Sequence, residues 1–267
     1  MKANKFKFYL YRYILITFIF IILFLSNSKV CKVTQQNMAV YFLLNYGGIN
    51  LSQSLNAVEF IKFLVPNLFV IFIFSDIMRS ESLINYVYVF TRLVRKQQWL
   101  FQKTIQLFFQ IFSIYFWLFI LSFFIGQLSG ITNIELSRFI SLILPLFLLN
   151  VLTIFEFIFL QNILSMRNGS TVTFVIIAFI YVIPMVIISL MERNYNPALY
   201  LILPANQMYL WHGDRISIDG TEMFFSNPIE GFSLLYSLII LLISIAVSYQ
   251  MYLWFFIRND MSEIIKE

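Results

Sequence analysis

The chain has 267 residues, of which 60% are hydrophobic and 12% charged, with a formal net charge of +5 and a mean hydropathy of +0.83. Soluble domains carry roughly a quarter charged residues, so this composition excludes an ordinary water-soluble fold. The single cysteine, Cys31, excludes an internal disulfide, and the single histidine, His212, leaves no basis for a His-rich metal site or a His-based triad.

At the N-terminus Lys2, Lys5, Lys7 and Arg12 precede an apolar run from Tyr13 to Leu25. This resembles a signal peptide, but no small-residue cleavage site follows, so the run reads as a retained helix. A bilayer crossing needs about 20 mostly apolar residues. Six segments meet that need: Tyr9–Ser26, Ala57–Ser75, Thr104–Gln127, Ser137–Leu164, Thr171–Leu190 and Phe232–Phe256. Two connections are long, from Asn27 to about Asn56 and from Met191 to Gly231. No internal repeat or low-complexity linker divides residues 1–267, which read as a single transmembrane domain. The expected fold class is an all-α integral membrane protein with six spans.

Orientation follows the distribution of Lys and Arg. With the N-terminus inside, Lys2, Lys5, Lys7, Arg12, Arg79, Arg92, Arg95, Lys96, Lys103, Arg167, Arg258 and Lys266 lie on the inner side, twelve of the eighteen basic residues. The expected location is the cell membrane, multi-pass, with both termini cytoplasmic. The segment between spans five and six is then external. It is acidic, with Glu192, Asp214, Asp219, Glu222 and Glu230.

In the first long connection, Met38 to Tyr46 reads as a short interfacial helix. Glu59 and Lys62 are three apart near the outer end of span two and can pair. Pro66, Pro145 and Pro184 mark kinks in spans two, four and five.

Between spans two and three, residues Asp76 to Lys103 have helical periodicity. Leu83, Val87, Phe90 and Val94 form an apolar stripe, with Glu81, Asn85, Arg92 and Lys96 opposite. Such a helix lies along the inner membrane surface or offers its charged face to a partner.

Within the spans, three polar positions stand out. Glu156 lies in Ile154-Phe-Glu-Phe-Ile-Phe-Leu160, where a charged carboxylate costs on the order of 3 kcal/mol, so it should face protein or a polar cavity. Asn150 and Thr153 precede it by successive threes. In span three, Gln110 belongs to a stripe of Gln106, Gln110, Ser113 and Trp117 that should face protein rather than lipid. Ser233, Ser237, Ser244 and Ser248 form a stripe of small residues suited to close packing in span six. The external segment contains Asn196 to Pro204, too short to span, and then His212 with Asp214. A loop turn at the membrane surface accounts for that pair better than catalysis does.

No glycine is followed by lysine, so the chain lacks a GxxxxGK[ST] phosphate loop, and HExxH and GxSxG are absent too. The chain is expected not to be an enzyme and to need no cofactor. Asn168-Gly-Ser170 matches a glycosylation sequon, but it falls on the inner side.

The run Tyr86-Val-Tyr-Val-Phe-Thr-Arg92-Leu-Val-Arg95-Lys96-Gln-Gln-Trp99-Leu-Phe-Gln-Lys103 resembles the cytoplasmic segment of ABC type-2 permeases. The ending Trp254-Phe-Phe-Ile-Arg258-Asn-Asp260 and the large external segment before the last span are similar to that family as well. The resemblance implies that the amphipathic segment is a coupling helix. Glu81, Arg92, Arg95 and Lys96 would be its contacts with a separate ABC ATPase subunit. It also implies an exporter of hydrophobic or amphipathic substrates such as an antimicrobial peptide, with ATPase subunits, a second permease subunit of the same or a related chain, and membrane lipid as partners, and no nucleic acid. The alternative is a non-transporting membrane immunity or assembly protein.

Overall fold

The computed structural model describes residues 2–50, 57–75, 77–78, 96–190, 196–216, 225 and 228–258. Among them there is no β-strand, only two isolated bridges, Asn37 with Thr132 and His212 with Ile229. The helices are α1 (Lys2–Val33), α2 (Met38–Tyr46), α3 (Ala57–Ile73), α4 (Lys96–Leu128), α5 (Leu136–Asn168), α6 (Ser170–Leu190), α7 (Leu203–Gln207) and α8 (Leu234–Arg258). Two 3-10 turns, Pro197–Leu201 and Tyr209–Trp211, flank α7.

Five helices, α1, α4, α5, α6 and α8, are long and apolar enough to cross a membrane. The protein is therefore an all-α, multi-pass membrane protein. The second expected span coincides with α3, a helix of 17 residues with Pro66 inside it, which is not one of those five.

Cross-helix contacts give the directions. Tyr13 on α1 donates to the Gln110 carbonyl on α4, and Phe20 packs edge-on against Tyr115, so α1 and α4 run parallel. Phe108 meets Phe155 and Phe123 meets Phe139, so α4 and α5 run antiparallel. Ser248 meets Glu156 and Tyr252 meets Phe159, so α5 and α8 run parallel. Lys62 near the start of α3 reaches Asn27 near the end of α1, while Phe74 after α3 lies beside Asn162 near the end of α5. The helix thus extends between the two ends of the bundle.

Helix α5 is the centre. It packs against α2, α3, α4, α6, α7 and α8, and 78% of its apolar window is buried, against 17% for α8. It joins α6 through Gly169 alone, whose φ of 77° is open to glycine and strained for other residues. That reversal makes α5 and α6 an antiparallel hairpin. α6 turns outward Val172, Val175, Ile176, Phe179, Ile180, Ile183 and Ile187, a wholly apolar lipid face.

Two short stretches fold inward at the end of the bundle that holds the C-terminus of α1. Helix α2 is capped by Asn37, whose Oδ1 accepts from the Val40 amide, and all its residues but Leu44 are buried. The segment 197–211 packs against it: the Leu210 amide donates to the Gly47 carbonyl at 3.0 Å and Trp211 Nε1 to the Ile49 carbonyl at 2.7 Å. The expected interfacial helix at Met38–Tyr46 is therefore part of the core. Short helices and turns at this depth leave backbone groups that must be satisfied by protein.

Candidate functional site

The polar interior of the protein is organised on α5. Asn150, Thr153, Glu156, Gln161, Asn162 and Ser165 are all buried, in a stretch whose other residues, from Leu146 to Leu164, are Leu, Ile, Val and Phe.

Asn150 stands at the junction of three elements. Its Nδ2 donates to the Tyr46 carbonyl at the end of α2 (3.1 Å) and to the Leu146 carbonyl (2.8 Å). Its Oδ1 accepts from Gln207 Nε2 on α7 at 2.9 Å, and Gln207 Oε1 accepts from the Tyr181 hydroxyl of α6 at 2.5 Å. One side-chain chain thus ties α2, α5, α6 and α7 together. Both polar atoms of Asn150 and both of Gln207 have a partner, and the geometry is that of a structural tie.

Glu156 faces α8. Its Oε1 accepts from Ser248 Oγ at 2.6 Å, and its Oε2 is buried without a hydrogen-bond partner. Thr153 Oγ1, the Gln161 amide and Thr173 Oγ1 are likewise buried and unpartnered. Asn150 and Glu156 therefore do not form one patch: they serve different neighbours from the same helix. Glu156→Gln keeps an acceptor for Ser248 and the same volume. It is expected to leave the melting temperature in detergent within about 2 °C, since the hydrogen bond from Ser248, about 1 kcal/mol, is kept. A fall of more than about 6 °C would mean that the carboxyl itself holds α5 to α8.

Gln110 sits apart, on α4 beside α1. It is half-buried, and its Oε1 is enclosed without a partner. Lys96 is the first residue of α4. Glu81, Arg92 and Arg95 lie outside the described residues.

Several functional-looking side chains escape a reading of the sequence. Asn162 accepts from the Met78 amide and donates to the Phe74 carbonyl, closing the end of α3 (2.9 and 2.8 Å). Asn67, next to Pro66, accepts from the Tyr115 hydroxyl at 3.0 Å. Asn27 donates to Asn45 and accepts from Lys62. An Asn at or near an apolar run is the available signal, but the partners lie far along the chain.

His212 corrects the surface-turn expectation, because its side chain is fully buried and stacks on Phe232 with centroids 4.3 Å apart. Nδ1 meets the Met208 carbonyl and Nε2 meets Ser237 Oγ, both at 2.8 Å. A carbonyl only accepts, so Nδ1 carries a proton; in the neutral ring Nε2 then accepts from the Ser237 hydroxyl. Asp214 turns elsewhere, accepting from Ser233 Oγ and the Leu234 amide at the start of α8. That is a helix-capping role.

Burial holds the His212 pKa down to about 4, from an ordinary 6.5. Between those values the unfolded chain binds a proton and the native one does not, so stability falls as pH drops from 6.5 toward 4. The expected loss is about 3 kcal/mol over that window. Thermal melting in detergent at pH 7.5 and pH 4.5 checks it, with His212→Gln expected to flatten the difference.

An apolar groove of 730 Å³ opens between α4 and α5, with Phe112, Phe116, Phe123, Phe139, Phe147 and Ile140 among its walls and no polar lining. Among the described residues no group of three or more His, Cys, Asp or Glu side chains is placed to hold a metal.

The family described as a protein of unknown function, DUF2705, matches residues 13–262. The chain belongs to this family. The match runs from α1 through α8, so the buried junction of α2, α5 and 197–211 lies within the family's shared extent. No curated protein and no solved structure matches the chain.

Proposed function

We propose that this chain is the membrane-spanning permease subunit of an ATP-driven ABC exporter, with six crossings and both termini cytoplasmic. A hydrophobic or amphipathic substrate, such as an antimicrobial peptide, is moved with energy from separate ATPase subunits.

The observation that carries this reading is the course of α3. It is about 25 Å long at 1.5 Å per residue, and it leads from the level of Asn27 on α1 to the level of Asn162 on α5. Counted with the five longer helices it makes six alternating crossings, the layout that the permease resemblance implies. Helix α4 begins at Lys96, eight residues before the apolar run of span three, so it extends into the charged connection carrying Arg92 and Arg95. A helix continuous from that connection into the bundle is a rigid route for a push at Glu81, Arg92, Arg95 and Lys96 to reach the membrane core. The open apolar groove between α4 and α5 supports a hydrophobic cargo.

The test is to tag the C-terminus, extract the protein from its native membranes in mild detergent, and identify what copurifies by mass spectrometry. A stoichiometric ATP-binding-cassette subunit is expected, and reversing the charges of Arg92 and Arg95 is expected to abolish its stimulation without loss of membrane insertion. A chain that comes out alone, under conditions that preserve a known ABC complex, would favour an immunity or assembly protein.

A further inference from the structure

A cavity of another kind lies at the end of the bundle that holds the C-terminus of α1. Its volume is 310 Å³, at the lower end of the roughly 300–1,000 Å³ usual for ligand pockets. Asn27 of α1, Asn50 after α2, and Glu59 and Lys62 of α3 give it polar walls, and Phe63 and Leu210 are apolar ones.

The two charges are placed by α3. Glu59 and Lys62 are three residues apart on one face, about 4.5 Å in helix rise, and both are half-buried. Lys62 Nζ reaches across to α1 and donates to Asn27 Oδ1 at 3.4 Å. Asn27 is itself fixed, because its Nδ2 donates to the Leu44 carbonyl at 3.2 Å and to Asn45 Oδ1 at 2.8 Å. An ammonium has three N–H donors, and Asn27 takes one. The cavity thus holds a positioned ammonium and, one turn away, a carboxylate.

Depth and rim identify the source of the ligand. The first apolar run of α1 ends at Leu25, and Asn27 is two residues, about 3 Å, beyond it. The charges therefore lie where hydrocarbon gives way to lipid headgroups. Val30 and Val58 also line the cavity, and both are exposed, Val58 by 60%. A charged interior behind an apolar rim suits a molecule with a charged head and apolar chains.

We propose that this cavity binds the headgroup of a zwitterionic phospholipid, with its phosphate on Lys62 and its ammonium on Glu59. One carboxylate and one ammonium sum to zero. A headgroup that carries both signs compensates both, whereas an anionic headgroup is set against Glu59 with nothing to offer it. The site goes beyond the permease reading and does not rest on it.

Native mass spectrometry of the full chain in detergent tests the site, with phosphatidylethanolamine or phosphatidylglycerol of matched chains added in turn. One phosphatidylethanolamine per chain is expected, bound about tenfold more tightly than phosphatidylglycerol. Glu59→Gln keeps the partner of the phosphate and removes that of the ammonium, so the preference is expected to disappear. Lys62→Met is expected to weaken both lipids. Val58→Trp fills the mouth from an exposed position and keeps both charges, so it answers even where a charge variant fails to fold; it is expected to lose the bound lipid. Equal retention of the two lipids by the unaltered chain, or a preference unchanged in Glu59→Gln and Val58→Trp, would overturn the proposal. So would glycerophosphoethanolamine competing as well as the intact lipid, because chains and rim would then add nothing. No readout involves an ATPase, so a chain that purifies alone would sink the exporter reading and leave this site standing.

Discussion

Replacing Asn150 by leucine is expected to destabilise the protein by about 3 kcal/mol, because a buried polar group left unpaired costs about 1–3 kcal/mol. Two groups lose their partner at once. The Tyr46 carbonyl lies in the last turn of α2, where no helical amide remains to serve it, and the Gln207 amide is fully enclosed. The effect should read as a melting temperature in detergent lower by roughly 6–12 °C, on the scale expected for a domain of this size. The comparison variant lies one turn on. Thr153 is fully buried and its hydroxyl has no partner, so Thr153→Val removes nothing that is bonded. It is expected to be neutral or slightly stabilising. If the two variants melt alike, Asn150 does not tie α2 and α7 to α5.

Trp211→Ala should cost still more, about 3–5 kcal/mol for an enclosed Trp in a close-packed site. The indole is fully buried and its N–H holds the Ile49 carbonyl at 2.7 Å. The chain around Ile49 has little room to adjust. Gly48 has φ +102°, and a Cβ there would lie 2.4 Å from Met208 Sδ and 3.1 Å from Met208 Cα, so the connection after α2 runs directly against the backbone that leads to Trp211. Trp211→Phe keeps most of the ring but orphans the carbonyl, and is expected to lose about 1–2 kcal/mol. The order Ala below Phe below wild type, by thermal melting, is the result that places the 197–211 segment inside the bundle. Equal melting for all three would return it to the surface.

Helix ends show where reading the sequence fell short. The first apolar run, Tyr9–Ser26, belongs to a helix that continues to Val33, and the third, Thr104–Gln127, to one that starts at Lys96. Hydropathy marks the length that lies in hydrocarbon. At the start of α4 the helix runs through Lys96, Gln97, Gln98 and Leu100, which are good helix formers in water too. Spans four, five and six were closer, since Gly169 and the turn at Gly231 punctuate their ends.

The site residues divide differently. That Glu156 must meet protein followed from its cost in lipid, and Ser248, in the serine stripe of the last span, supplies that contact. The stripe was read as close packing, yet two of its hydroxyls are hydrogen-bond partners of buried side chains. Met38–Tyr46 and His212 were assigned to the surface, because a short apolar stretch has the same composition whether it lies on a bilayer or inside a bundle.

The residue order alone determines that this protein lives in a membrane and where its long helices run, because transfer to hydrocarbon is a sum over neighbours in the chain. Tertiary structure alone decides that Asn150 finds Gln207 and that His212 finds Ser237. A hydrogen bond or a packed seam needs a partner at about 3 to 4 Å, and that partner comes from a helix whose position no local pattern records.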